Sequence, residues 1–173
     1  MLISPELRYI DTCCLMMFIN EKDDLRKDYN IGRKKAENCV QRSLGTLSIP
    51  MPALGEAIWM TREKTSGRTT LPFGELQRLI DIGFLDVVYL SNPSQLYRFA
   101  GELCSPVHDE RDVISPMDAQ IVAAATVDSR CTVFYTTDIK LISDSRVNDR
   151  AKEWREDNGM EPLKIMDVSS ILR

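Results

Sequence analysis

Four acidic residues, Asp11, Glu56, Asp118 and Asp138, lie far apart in the chain but at equivalent kinds of place. Asp11 ends the short apolar stretch Arg8-Tyr9-Ile10, and Asp138 ends Val133-Phe134-Tyr135-Thr136-Thr137. Glu56 falls in the first turns of a helix opened by Pro50 and Pro52, and Asp118 follows the helix start Ser115-Pro116-Met117. In an open parallel α/β sheet, strand carboxyl ends and the adjoining helix starts line one edge, where ligands bind at a topological switch point. Carboxylates gathered there repel by about 1 kcal/mol or more per pair even in a wet site, so they call for a cation. Oxygen donors without Cys or His select magnesium or manganese, hard ions that keep several waters and bridge to phosphate oxygens. The chemistry expected of such a site is metal-assisted phosphodiester hydrolysis, with a polarised water attacking in line and the leaving 3′ oxygen stabilised.

Each acid also has a plain structural role. Asp11 and Asp138 can cap the helices that follow them, and Asp118, third after Ser115, suits a capping arrangement worth about 1 kcal/mol. Glu56 near a helix N-terminus gains a few tenths of a kcal/mol from the dipole. The cluster Asp109-Glu110-Asp112 is a rival metal site that reads more simply as a solvated loop, and Asp144 reads the same way. His108, the single histidine, lies in that polar loop without the partners of a metal site or triad.

The elements that must position these residues alternate in type. Strands are expected at Arg8–Asp11, Thr46–Ile49, Phe84–Leu90, Cys131–Tyr135 and Leu163–Val168. Helices are expected over Leu15–Ile19, Ile31–Leu44, from Pro52 toward Lys64, Pro72–Ile82, after Asn92-Pro93, and Asn148–Asn158. Ala119 to Val127 is apolar nearly throughout, which predicts a helix buried on all sides. Phe18 and Trp59, at helical spacing from other apolar residues, are assigned to the core. The alternation implies a parallel sheet covered on both faces.

A chain of 173 residues with no repeat or linker fits one domain, 1–173. With 22 Lys+Arg against 26 Asp+Glu the net charge is −4, which excludes duplex binding through a broad basic face. Nothing reaches the length of a membrane helix and the first residues lack a signal-peptide pattern, so a cytoplasmic protein is expected. The odd set of five cysteines has no metal spacing and reads as reduced, mostly buried thiols. Basic residues form small groups, Arg33-Lys34-Lys35, then Arg62, Lys64 and Arg68, then Lys140 and Arg146. Each group is a solvated face in the simplest view, and Arg62, Lys64, Arg68 and Lys140 are the candidates for RNA phosphate contacts. At 7% aromatics, extensive base stacking is not expected.

Tyr9-Ile10-Asp11-Thr12, Pro52-Ala53-Leu54-Gly55-Glu56, Ser115-Pro116-Met117-Asp118-Ala119-Gln120 with its alanine-rich continuation, and Tyr135-Thr136-Thr137-Asp138 together resemble the successive acidic motifs of the PIN-domain nucleases. The resemblance runs from Tyr9 to at least Lys140. It implies a three-layer α/β/α sandwich around a central, mostly parallel sheet, and Mg2+- or Mn2+-dependent cleavage of single-stranded RNA leaving 5′-phosphate and 3′-hydroxyl ends. It also implies metal binding by Asp11, Glu56, Asp118 and Asp138, and carboxylate- or water-binding hydroxyls at Thr12 and Thr137. The VapC-type toxins of that family pair with an antitoxin protein, and family members suggest a homodimer. This chain is longer than the compact toxin members. Two other readings stay open: a non-catalytic PIN-like module that binds RNA or protein and keeps its acids as caps, and a small-molecule phosphatase, which lacks the expected DxD arrangement.

Overall fold

The computed structural model describes residues 6–19, 31–64, 71–90, 92–105 and 114–172, and gives the backbone alone for 61–64 and 71–72. His108, Arg68 and the Asp109-Glu110-Asp112 cluster lie outside the described residues, as do the side chains of Arg62 and Lys64. Five strands, β1 (Leu7–Ile10), β2 (Leu47–Pro50), β3 (Leu85–Val88), β4 (Cys131–Thr136) and β5 (Lys164–Asp167), form one sheet in the order β3-β2-β1-β4-β5. All the pairings are parallel. The chain runs outward from β1 through β2 to β3, then returns to the other side of β1 for β4 and β5. That reversal makes the gap between β1 and β4 the switch point of the sheet.

Among the described residues, eight α-helices surround it: α1 (Thr12–Ile19), α2 (Arg33–Ser43), α3 (Met51–Lys64), α4 (Leu71–Asp81), α5 (Pro93–Cys104), α6 (Pro116–Val127), α7 (Ile139–Ser143) and α8 (Ser145–Asp157). Helix α1 packs with α2, α3 and α4, while α6 packs with α5 and α8. The α/β sandwich expected from the alternation is therefore present. None of the described helices is long and apolar enough to cross a membrane. Local chemistry explains the boundaries. Ser115 caps α6 ahead of Pro116, and Asn92 caps α5 ahead of Pro93. After α4 the chain turns through Gly83 at φ +68, where the Gly83 and Phe84 amides return to the carbonyls of Ile80 and Leu79. Only glycine takes that backbone conformation without strain.

Two expectations fail. Trp59 is 60% exposed on α3 rather than in the core, because the face of α3 that meets the sheet carries Ala53 and Ala57 and the helix turns Trp59 away from them. Among the cysteines, Cys14 and Cys131 are buried, but Cys13, Cys39 and Cys104 are only half-buried. Phe18 is fully buried and packs edge-on against Phe84, with ring centroids 5.0 Å apart.

Helix α6 is buried on every side except its first turn, as its composition predicts. Its C-terminal carbonyls therefore need a donor inside the protein. Arg155 of α8, 1% exposed, supplies it. Its Nε donates to the Thr126 carbonyl at 2.9 Å, Nη1 to Glu161 at 2.8 Å, and Nη2 reaches Ala125, Asp128 and Cys131 at 2.8, 2.9 and 2.7 Å. The guanidinium thus joins the end of α6 to the start of β4, where its charge also suits the helix dipole. Arg155→Met is expected to destabilise the fold by about 3 kcal/mol or more in urea unfolding, since it leaves several buried carbonyls unpaired, and Arg155→Lys to recover little of that. A loss below about 1 kcal/mol for Arg155→Met contradicts this role.

Candidate active site at the sheet switch point

Asp11 sits at the carboxyl end of β1, directly at the switch point. The register pairs Ile10 with Tyr135, and the Asp11 amide continues the ladder to the Tyr135 carbonyl at 3.1 Å. This brings Asp11 beside Thr136, whose hydroxyl donates to Asp11 Oδ2 at 2.5 Å. Asp11 Oδ1 accepts the Cys14 amide at 2.7 Å, so the side chain also caps α1. The carboxyl is 6% exposed. Burial pushes its pKa above the usual carboxylate value, against the opposing pull of its hydrogen bonds from Thr136 and Cys14.

Thr12, the first residue of α1, donates its hydroxyl to Glu56 Oε2 at 2.5 Å and also lies 3.1 Å from the Ala53 carbonyl. Glu56 is thereby drawn from α3 toward the end of β1. Asp118 lies in the exposed first turn of α6, where its Oδ2 accepts the Ser115 hydroxyl at 2.6 Å and its amide donates to the same oxygen at 3.1 Å. Asp138 caps α7 by accepting the Lys140 amide at 2.8 Å, and its own amide donates to the Thr136 hydroxyl at 2.9 Å.

Cys13 follows Thr12 in the first turn of α1. Burial, and then the negative charges of Asp11, Glu56 and Asp118, push its thiol up to about 12. The Asp138 backbone amide reaches Thr136, whose hydroxyl also bonds Asp11. Thr137, the hydroxyl expected at the last acid, lies against the Cys13 thiol, and it is Thr136 that bonds the Asp11 carboxylate. Neither Thr136 nor Cys13 was singled out by the sequence. The only signal for Thr136 was its place in a pair of threonines, and the choice between them depends on the β1–β4 register.

The partners of these acids differ in kind from those elsewhere. Asp128 is clasped by Arg130 at 2.7 Å, Asp144 by Arg146 at 3.0 Å, and Glu37 and Glu75 by Arg78 at 2.6 and 2.8 Å. Arg130 and Tyr9 hydrogen bonds hold the Asp128 carboxyl below the usual range although burial alone would raise it, and Arg146 does the same at Asp144. Asp144 also caps α8. By contrast, none of Asp11, Glu56, Asp118 and Asp138 pairs with a lysine or arginine among the described residues. Hydroxyls hold three of them instead, fixing position without cancelling charge.

Lys140 is exposed beside Asp138, Lys34 and Lys35 are exposed on α2, and Arg33 is tied to Glu37 and Glu75. No three His, Cys, Asp or Glu side chains among the described residues stand close enough to enclose a metal ion directly. The donor set nonetheless fits magnesium or manganese in one mode. These ions dehydrate reluctantly and are held through one or two carboxylates with waters completing the shell, so they need no closed cage.

Comparison with known proteins adds little at the level of sequence. No model of a protein family matches the chain, and a search of curated proteins returns no match. The chain is similar to one in the crystal structure of DNA-bound VapBC from Salmonella typhimurium. The two are 18% identical with a TM-score of 0.49, over 94% of this chain and 98% of that one.

The raised pKa of Asp11 makes a test of its charge. Its folded value lies above the unfolded one, so the stability it contributes is complete below the unfolded carboxylate range near pH 4 and is lost as pH rises through the folded value. Above that range the cost of burying its charge weakens the fold. Asp11→Asn keeps an oxygen to cap α1 and removes that charge. In EDTA it is expected to raise the thermal midpoint at pH 7, with the gain fading toward about pH 4. Equal midpoints for wild type and variant across this range would show that no burial penalty exists.

Proposed function

We propose that this chain is a divalent-metal-dependent endoribonuclease that hydrolyses phosphodiester bonds of single-stranded RNA. The observation that carries the reading is the set of carboxylates at the β1–β4 switch point that is held by hydroxyls and left without a basic partner among the described residues, with Asp11 buried. Capping alone is a weak reason to bury an acid. A cap is worth about 1 kcal/mol, whereas removing a carboxylate from water without a counter-charge costs several. A buried carboxyl raised by its surroundings, as at Asp11, is characteristic of active sites.

Asp11, Glu56, Asp118 and Asp138 are the residues that would hold the ion, one or two of them directly and the others through its waters. When bound there, a divalent cation supplies Lewis acidity toward a phosphodiester and a nearby water. The protein's own contributions are positional. Thr136 and Cys14 lock the Asp11 rotamer, Thr12 fixes Glu56, and Ser115 fixes Asp118. Lys140, exposed next to Asp138, offers a phosphate contact, as do Arg62, Lys64 and Arg68 on or after the helix of Glu56. The resemblance of the acidic motifs to VapC-type toxins makes an antitoxin protein the partner class that goes with this reading, and a homodimer the assembly.

One observation favours a second reading, a non-catalytic binding module: Asp11 and Asp138 cap the helices that follow them, and Asp118 accepts the hydroxyl of the Ser115 cap. Two measurements separate the readings. Millimolar magnesium is expected to raise the thermal midpoint of the wild type through ligand linkage and to leave Asp11→Asn unmoved. Unstructured RNA is expected to be cut in magnesium and spared in EDTA, with cleavage falling by about a hundredfold or more in Asp11→Asn and in Asp118→Asn. Activity untouched by both substitutions removes the nuclease reading, and a midpoint indifferent to magnesium favours the binding module.

A further inference from the structure

A pocket of about 330 Å³ opens on the same edge of the sheet, on the β2–β3 side. Pro52, Pro93 and Leu96 are among its apolar walls, Tyr89 and Tyr97 stand over it, and Gln120 brings one amide. The tyrosines are 72% and 63% exposed, so their ring faces meet water rather than protein. None of the described residues that line the pocket is charged.

That lining describes its occupant. Exposed tyrosine rings favour a flat aromatic guest, through stacking or edge-to-face contact. Gln120 offers a donor and an acceptor on one side chain, which suits a heteroaromatic edge bearing both. The mainly apolar and aromatic lining suits an uncharged ring better than a phosphate or carboxylate. The volume lies at the low end of ligand pockets, about 300–1,000 Å³, so it takes one ring system rather than a helix or strand of a partner protein.

The position connects the pocket to the acids. Pro52 lies one turn before Glu56 on α3, and Gln120 lies two residues after Asp118 on α6. The two helices that carry those acids are therefore also walls of the pocket.

We propose that this pocket binds a nucleobase of the RNA strand whose phosphodiester lies at Asp11, Glu56 and Asp118, with Tyr89 and Tyr97 stacking on the base and Gln120 reading its edge. The proposal rests on the nuclease reading for its substrate, and its binding test does not. Uncharged probes separate the two, because a nucleoside carries the base without the phosphate that the acids repel in the absence of metal.

The test titrates adenosine, cytidine, guanosine, uridine and ribose into the protein in EDTA and follows amide NMR signals around Leu96 and Gln120. At least one nucleoside is expected to shift them in the millimolar range, and ribose to leave them still. The double variant Tyr89→Ala with Tyr97→Ala is expected to lose the shifts, and the corresponding double phenylalanine variant to keep them. In magnesium, the double alanine variant is expected to raise KM for unstructured RNA by about tenfold with kcat little changed. Nucleosides that shift nothing, or shift wild type and the alanine variant alike, overturn the nucleobase pocket. Cleavage that persists with an unchanged KM in the alanine variant overturns it too and leaves the nuclease reading intact. Tyrosine-dependent nucleoside binding in a protein that cuts no RNA keeps the pocket and removes the nuclease reading.

Discussion

Negative charge collected at one sheet edge must be held in place without being neutralised, and the hydroxyl hydrogen bond does this here. Thr136, Thr12 and Ser115 each donate to one carboxylate, Asp11, Glu56 and Asp118 respectively, at 2.5, 2.5 and 2.6 Å. A guanidinium in the same positions would fix the rotamers equally well and cancel the field. Away from the edge that is what happens, at Asp128, Asp144, Glu37 and Glu75. The contrast within a single chain separates acids that brace the fold from acids that remain available to a cation.

The parallel sheet makes such a gathering possible. Because β1 lies in the middle and the chain leaves it in both directions, the ends of β1 and β4 meet with their following helices pointing away. Asp118 arrives from a third direction, at the N-terminus of α6. That helix has its outer end open to water and its inner end gripped by Arg155. Fixing the inner end fixes where the outer turn stands, so a residue of α8 far from the acids helps set the position of Asp118.

Much of this was legible in the sequence, for physical reasons. Proline after Ser or Asn marked the starts of α5 and α6, β-branched and aromatic runs marked β3 and β4, and alternation of the two marked a parallel sheet. The acids could be named because strand ends and helix starts share an edge in that architecture. Details that depend on register or packing were not legible. Thr136 and Thr137 differ only in which way a strand end turns. Trp59 looks like core by spacing, yet alanines do the packing on its helix. Arg155 sits in a strongly charged helix and reads as a surface residue until its carbonyl partners are seen. Helix α7, five residues long, is too short to show any period. Cys13 acquires meaning only from neighbours supplied by other elements.

The bond between Thr136 and Asp11 joins positions 125 residues apart. During synthesis, β1 emerges before β4 and waits, with its place beside β4 vacant, while the residues between them are made. Long-range parallel pairing is slow to form for the same entropic reason. An incomplete product truncated before β4 therefore has Asp11, Glu56 and Asp118 but lacks Thr136, the hydroxyl that holds Asp11. The acidic centre is thus a late product of assembly, coming into being only as the sheet closes.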